Sequence, residues 1–344
     1  MTRQTWTAFV AAVAFVLTAV GLVVLPVPYV SWTPGSVTDT LGKVNNTPVI
    51  SISGITTYPS RGQLDLTTVS ETRADARLSL PEALLSYWLP HRDTLPREAI
   101  YPSGKTADQV NSESRVMMET SQSNAVVAAL RAAGQPVTQR PAVASVTVGS
   151  AAYNKLQPGD LITAINGTKV TSNQQATDII RGRTAGSTLI FDVIRDRTAK
   201  VVRFNSSAST GGSDLSGITI GDGFEYAPRI SFDLGEQIGG PSAGLIFSLA
   251  IYDKITPGSL TGDRRIAGTG TIDASGNVGA IGGIQQKIAG ASNAGASVFL
   301  VPAPNCGDLA GVRTHLTLVK VTSLQSAIDA INAVDKGSHS LPHC

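Results

Sequence analysis

An uninterrupted apolar run near the start of the chain, Ala8 to Leu25 (AFVAAVAFVLTAVGLVVL), constrains the fold more than any other feature. It holds about eighteen residues without a charge, enough to cross the hydrocarbon core of a bilayer with little tilt. Pro26 and Pro28 end the run, no small-x-small cleavage site follows, and the run is longer than the core of a removable leader. It is therefore expected to be an uncleaved signal anchor over residues 8–28, behind a cytoplasmic stub of residues 1–7. Arg3 and the amino group precede it, whereas the first basic residue after it is Lys43, which under the positive-inside rule leaves the N-terminus in the cytoplasm. The expectation is a single-pass protein of the cell membrane, with residues 8–28 in contact with the lipid bilayer and everything after residue 30 extracytoplasmic. A buried core helix is the competing reading of the same run.

The rest of the 344-residue chain is long enough for about two soluble domains. With 42% hydrophobic and 15% charged residues and 34 glycines, it has the composition of a turn-rich globular protein. The net charge of +2 and the lack of any Lys/Arg block interleaved with aromatics give no support to a nucleic-acid partner. His91, His315, His339 and His343 fit no H-E-x-x-H pattern, and two distant cysteines do not make a zinc cluster, so no metal and no cofactor are expected. Cys306 and Cys344 are either bridged, as an oxidising compartment would allow, or left as two unpaired thiols.

Local patterns beyond the anchor alternate between strand and helix, an α+β fold. Val49 to Val69 is rich in β-branched residues with a turn at Pro59 to Gly62, which predicts two strands. Ser79-Leu80-Pro81-Glu82 has capping-box spacing and opens a short helix, Ala83 to Leu89, read as a packed core helix in preference to one at the lipid interface. A longer helix is expected from Ser112 to Ala133, stopped by Gly134. Gln135 to Pro141 and Asn205 to Asp214 have linker composition and bracket a compact β-rich unit, placed at residues 138–206.

Within that unit Pro158-Gly159-Asp160 supplies a turn, and Asn166-Gly167 suits a type I′ hairpin, whose two central residues need positive φ. Together with Gly149-Ser150-Ala151-Ala152, Leu156 to Ile162 and Ile165 to Val170, these residues resemble a PDZ domain of the kind found in bacterial proteases. The resemblance implies that an extended peptide adds as a strand beside a helix, with Val146, Val148, Ala176, Ile179 and Ile180 as the groove. No Gly-Leu-Gly-Phe-like loop precedes Gly149, so a purely structural role stands beside peptide binding.

Two segments further on carry chemistry. Gly239-Gly240-Pro241-Ser242-Ala243-Gly244 follows a strand, Arg229 to Leu234, and precedes an apolar run, Leu245 to Tyr252, expected to be a buried helix starting near Pro241. That places Ser242 at a helix N-terminus, where unpaired N–H groups stabilise negative oxygen; the plain alternative is a serine that only caps the helix. In Gly282-Gly283-Ile284-Gln285-Gln286-Lys287, the lysine shares a helix face with Ile284, Gly290 and Ala291 and has no acid within one turn, opposite a polar face holding Gln285, Gln286, Ser292 and Asn293. Poor hydration there would lower its pKa and leave it partly neutral, as a general base must be. A lysine reaching to the surface is the plain alternative.

Taken together, Gly-Pro-Ser-Ala-Gly and Gly-Gly-x-x-x-Lys resemble the proteolytic domain of Lon proteases. The resemblance implies Ser242 as nucleophile and Lys287 as base, with Thr269 helping to hold the lysine and Gly240, Pro241 and Ala243 around the oxyanion. Thr269-Gly270-Thr271-Ile272, Gly276, Val278, Gly295, Pro302 and Asn305 also match, as do Gly62 to Thr67 and Met118 to Ser121 upstream. The implied architecture is a Lon-type proteolytic domain split by the PDZ-like insert, with an N-terminal part at 30–135, a catalytic part at 215–335 and a tail at 336–344. It is that of membrane-anchored PDZ-containing Lon-like proteases of Gram-positive bacteria, acting on protein or peptide substrates without ATP, a homo-oligomer being among the assemblies such domains allow. Tyr101 to Thr106 (YPSGKT) ends like a Walker A loop but has Ala99 where the first glycine should be. Two rivals remain: a catalytically silent, membrane-tethered PDZ scaffold, and an α/β-hydrolase-type esterase with Asp308 and His315 beside Ser242.

Overall fold

A computed structural model describes residues 2–206, 216–234, 238–337 and 340–344. The chain divides into two compact units, Met1–Gly134 with Pro228–Cys344, and Gln135–Ala227. Most of the expected linker Asn205 to Asp214 lies outside the described residues.

The first unit opens with helix α1 (Arg3–Val24), capped by the Thr2 side chain and with no buried residue. Apolar all round and uncovered by the protein, it is long and apolar enough to cross a membrane. Strands β1 (Tyr29–Asp39), β2 (Ile50–Ser53) and β3 (Gln63–Glu71) follow, then α2 (Leu80–Trp88), β4 (Asp93–Pro96) and α3 (Ala107–Ala132). Helix α2 begins at the expected capping box, where the Ser79 N–H donates to the Glu82 carboxylate at 2.8 Å. It is not the core helix expected: only Ala83 and Ser86 are buried, while Tyr87 and Trp88 are 71% and 72% exposed. Helix α3 starts ahead of the expected Ser112, because Thr106 and Gln109 form a capping box in front of a polar first turn that carries no apolar period.

The second unit is a mainly antiparallel sheet with one helix against it: β5 (Val137–Val146), β6 (Leu161–Ile165), α4 (Asn173–Arg181), β7 (Thr188–Arg195), β8 (Thr198–Asn205) and β9 (Ile218–Tyr226), in the order β8-β7-β6-β5-β9. Asn166 and Gly167 have φ of 50° and 77°, as the hairpin turn requires. Phe191 and Phe204 stack with centroids 5.5 Å apart over a core that includes Ile162, Ile165, Ala176 and Ile180. The expected boundary of 138–206 is too short, since β9 pairs with β5 from Ile218↔Val146 to Tyr226↔Val137. The unit therefore runs to Ala227, and the second part of the first unit starts at Pro228 instead of residue 215.

That second part holds β10 (Arg229–Phe232), α5 (Gly244–Ile255), β11 (Arg265–Gly268), α6 (Ile284–Asn293), β12 (Val298–Pro302), β13 (Thr317–Val321) and α7 (Leu324–Asp335). The main sheet runs β13-β12-β11-β3-β1-β4, so the chain returns after the inserted unit to lay β11 parallel to β3. β10 and β2 form a separate antiparallel ribbon. Helix α5 is apolar around its first two turns apart from Ser248, and Leu245, Ile246, Phe247, Leu249 and Ile251 have no exposed surface. Truncating one of them to Ala would cost about 2–5 kcal/mol. Helix α6 sets Ile284, Ile288 and Ala291 into a core with Phe299 and Val301. Its Gln286, expected on a solvated face, is buried and donates to Asp93 Oδ2 at 2.8 Å. Sheet and helices thus fix α5 and α6 rigidly, and the site lies between their N-terminal ends.

Candidate active site

Ser242 sits in a turn held from three directions. The Gly240 N–H donates to the Ser114 carbonyl at 3.1 Å, with Gly240 at φ 82°, a left-handed conformation that favours glycine. Ser121 Oγ donates to the Pro241 carbonyl at 2.9 Å, which ties the turn to α3. The Ser242 carbonyl accepts from the Gly270 N–H at 2.9 Å and from Thr269 Oγ1 at 3.0 Å. Because those donors take it, this carbonyl does not enter the helical ladder; α5 begins at Gly244 with Ala243 as its N-cap, later than the expected Pro241. Ser242 is thus not the cap, and its partly exposed side chain is not used to hold the helix end. Gly244 has no space for a side chain: a Cβ there would lie 2.8 Å from Ile272 Cγ2 and 2.9 Å from Ser121 Oγ.

Lys287 comes from the first turn of α6. The N-cap, Gly283, is left-handed at φ 67°, and a Cβ on it would meet Val69 Cγ2 at 2.5 Å; one on Gly282 would meet the Trp32 ring at 2.9 Å. The two glycines therefore let the helix start press against β1 and β3, which aims the lysine inward. Lys287 is 3% exposed, with Nζ 2.7 Å from Ser242 Oγ and 3.0 Å from Thr269 Oγ1. Burial alone pulls its pKa down to about 7, with no neighbouring carboxylate to raise it again. Thr269 is fully buried between the two. The arrangement joins a hydroxyl at the surface to an amine that is half neutral near pH 7, and can remove a proton from that hydroxyl. A cleft of about 260 Å³ adjoins the turn, walled by Val116, Met117, Ser121 and Asn124 of α3 together with Pro241 and Ile272.

The other expected residues fall elsewhere. Gly240, Pro241 and Ala243 flank Ser242 in the turn. Asp308 accepts from Asn305 at 2.8 Å, and His315 pairs with Ser292 at 3.3 Å, so both are engaged away from the serine, whose hydroxyl faces Lys287. In the Walker-like segment Thr106 caps α3 and Lys105 bonds Glu113 at 2.7 Å, a structural use of both. Cys306 and Cys344 form a disulfide. Among the described residues no group of three or more His, Cys, Asp or Glu is placed to hold a metal ion.

The PDZ groove needs correction. Val146 lies in β5, whose edge is taken by β9 along its length; Val148 is 78% exposed in a loop, and Ala176 and Ile180 are buried in the core. Of the five, Ile179 alone is a partly buried position on α4. Among the described residues the unpaired edge beside α4 belongs to β9, where Asn173 Nδ2 donates to Asp222 Oδ1 at 2.7 Å.

Two family models match parts of the chain. Residues 237–333 match the Lon protease (S16) C-terminal proteolytic domain, and residues 116–205 match the PDZ domain. Lon protease 2 of Herpetosiphon aurantiacus is 34% identical over 106 residues, 29% of this chain and 13% of that protein. Lon protease 1 of Sorangium cellulosum is 39% identical over 93 residues, 26% of this chain and 11% of that protein. Lon protease 2 of Bacillus subtilis is 31% identical over 107 residues, 31% of this chain and 19% of that protein. The chain thus spans less than a fifth of the length of each of these relatives. Among solved structures, the PDZ domain of an SdrC-like protein from Listeria monocytogenes is 28% identical and covers 24% of this chain and 86% of its own, with a TM-score of 0.22. Behind a helix long and apolar enough to span a membrane, the chain carries a Lon protease C-terminal proteolytic domain and a PDZ domain.

Proposed function

We propose that the protein is an ATP-independent endopeptidase with Ser242 as nucleophile and Lys287 as general base, anchored in the membrane by α1 with its catalytic unit on the extracytoplasmic side. The observation that carries the reading is the 2.7 Å approach of a buried, uncompensated amine to the Ser242 hydroxyl.

Neutral Lys287 Nζ accepts the hydroxyl proton as Ser242 Oγ attacks the carbonyl carbon of the scissile bond. The carbonyl oxygen becomes an oxyanion, held by backbone N–H groups of the turn around Ser242 and Ala243, which precede the first residue of α5. Collapse breaks the C–N bond, and the Lys287 ammonium gives its proton to the departing amine. Water then attacks the acyl-enzyme, with the same amine taking and returning a proton. The cleft beside Pro241 receives a substrate side chain, its apolar walls of Val116, Met117 and Ile272 favouring an apolar one.

Substrates are accessible protein or peptide segments; in the Walker-like segment Lys105 and Thr106 are taken by Glu113 and the start of α3. The PDZ unit supplies a second contact, an extended peptide added as a strand on the outer edge of β9 beside α4. The extracytoplasmic side is supported by Arg3 ahead of α1, by Lys43 as the first basic residue after it, and by the Cys306–Cys344 disulfide, which suits an oxidising compartment.

Cleavage of an unfolded protein by the wild type, Ser242→Ala and Lys287→Ala tests the reading. Both variants should stay folded and lose about 10²-fold or more in rate, the usual worth of a general base or more. Full activity in Lys287→Ala would refute the dyad, and no cleavage by the folded wild type would favour a silent scaffold.

A further inference from the structure

Helix α2 is amphipathic in the wrong sense for a soluble surface. Its small residues face the protein: Ala83 and Ser86 are buried, Thr94 Oγ1 donates to the Ala83 carbonyl at 3.1 Å, and the Ser86 hydroxyl bonds that of Ser31. Its large apolar residues face out, with Leu84, Leu85, Tyr87 and Trp88 all exposed. An outward apolar face of this size is unfavourable in water and marks a contact surface.

The position of α2 identifies what covers it. Pro26 and Val27, directly after α1, pair antiparallel with Ser79 and Leu78, directly before α2. Leu22, in the last turn of α1, lines one shallow cleft with Leu80, Pro81, Leu84, Leu85 and Trp88. At about 1.5 Å of rise per residue, Leu22 lies only about 3–5 Å inside the end of α1. That depth is within the roughly 5–10 Å to which interfacial helices sink their apolar faces. Tyr and Trp are also the residues that concentrate where lipid meets water.

We infer that α2 lies in the lipid–water boundary of the bilayer that α1 spans, so that the proteolytic unit is seated on the membrane by two elements. The inference rests on the reading of α1 as a membrane span. Seating α2 this way leaves the unit little freedom to swing about the residues after α1, and holds the Ser242 turn at a set height above the lipid. No basic residue lies on α2 itself, so its own contact with the bilayer depends on apolar burial.

The test uses the full chain in phosphatidylcholine vesicles, with and without phosphatidylglycerol, and a fluorescent probe on a single cysteine introduced as Leu85→Cys or Trp88→Cys. Leu17→Cys in α1 and Val201→Cys in the second unit are controls. Spin-labelled lipid should quench the probes at 85, 88 and 17 several-fold more than the probe at 201, while iodide reaches only the last, at either lipid composition. Quenching of 85 and 88 by iodide, with 17 reached by lipid, would overturn the seating of α2 and leave the span intact. Protection of 85 and 88 from both quenchers would assign the face to a protein partner and also overturn it. A probe at 17 that lipid does not reach would remove the span and the inference with it.

Discussion

Thr269 gives its only hydroxyl proton to the Ser242 carbonyl at 3.0 Å, so toward Lys287 Nζ, also 3.0 Å away, its oxygen can act only as acceptor. A neutral amine has two N–H bonds and one lone pair. With one N–H committed to Thr269, the neutral amine keeps its lone pair available for the Ser242 hydroxyl, 2.7 Å away, which is what the proposed proton transfer requires.

Thr269→Val should therefore lower kcat about 10- to 100-fold with little change in KM, the worth of a hydrogen bond of about 1.5–3 kcal/mol to an ionisable group. Thr269→Ser should recover most of it. Steady-state hydrolysis of one peptide by the three proteins checks this; equal losses in the valine and serine variants would show a packing effect instead.

The buried lysine should also cost stability. Its folded pKa, about 7, is below the ordinary value of 10.5, so between those limits the unfolded chain binds more protons and stability rises with pH. Below pH 7 both states carry the charge, and the folded state bears its full desolvation. Lys287→Met should be more stable than the wild type at pH 6 and lose that advantage as pH climbs from about 7 to about 10.5. Denaturant titrations across that range measure the difference, and a variant less stable at every pH would argue against it.

What the sequence made legible is the part specified locally. Ser79 and Glu82 announce a helix start because a capping box is a short-range device, and Asn166-Gly167 announces a turn for the same reason. Neither the Ser242 nor the Lys287 segment was decisive by itself, since a serine can simply cap a helix and a lysine can reach the surface; their combination, and the resemblance it carries to the Lon proteolytic domain, pointed to chemistry. The partnership of β9 with β5 was not readable, since pairing across that much chain leaves no local mark, so the strand that covers Val146 was not anticipated. The exposure of α2 was missed because an apolar helix looks the same whether protein or another apolar phase covers it. The role of Gln286 was hidden because its partner, Asp93, comes from a distant strand.

Gly283 should be intolerant of any side chain. A left-handed φ costs a non-glycine residue about 1–2 kcal/mol, and overpacking against Val69 adds about 1–3 kcal/mol. Gly295, at φ 81° with open space around it, carries only the first cost. Thermal denaturation should place Gly283→Ala well below Gly295→Ala, and identical midpoints would show that the helix start can shift away from β3.

Ile179→Glu puts a charge on α4 beside the outer edge of β9. It should weaken the binding of extended peptides to the PDZ unit while leaving cleavage of a short peptide unchanged. Fluorescence anisotropy of a labelled peptide and a parallel rate assay separate the two effects; equal binding by both proteins would move the docking edge elsewhere.

The rate at which a fluorophosphonate phosphonylates Ser242, with loss of fluoride, followed by mass spectrometry from pH 5 to pH 10, tests the Ser242–Lys287 pairing most directly. The rate should climb through one ionisation near pH 7 and then level off, and Lys287→Ala should lose both the climb and most of the rate. A rate that ignores pH over this range, or a Lys287→Ala protein that is phosphonylated as fast as the wild type, would mean that this amine does not activate this serine.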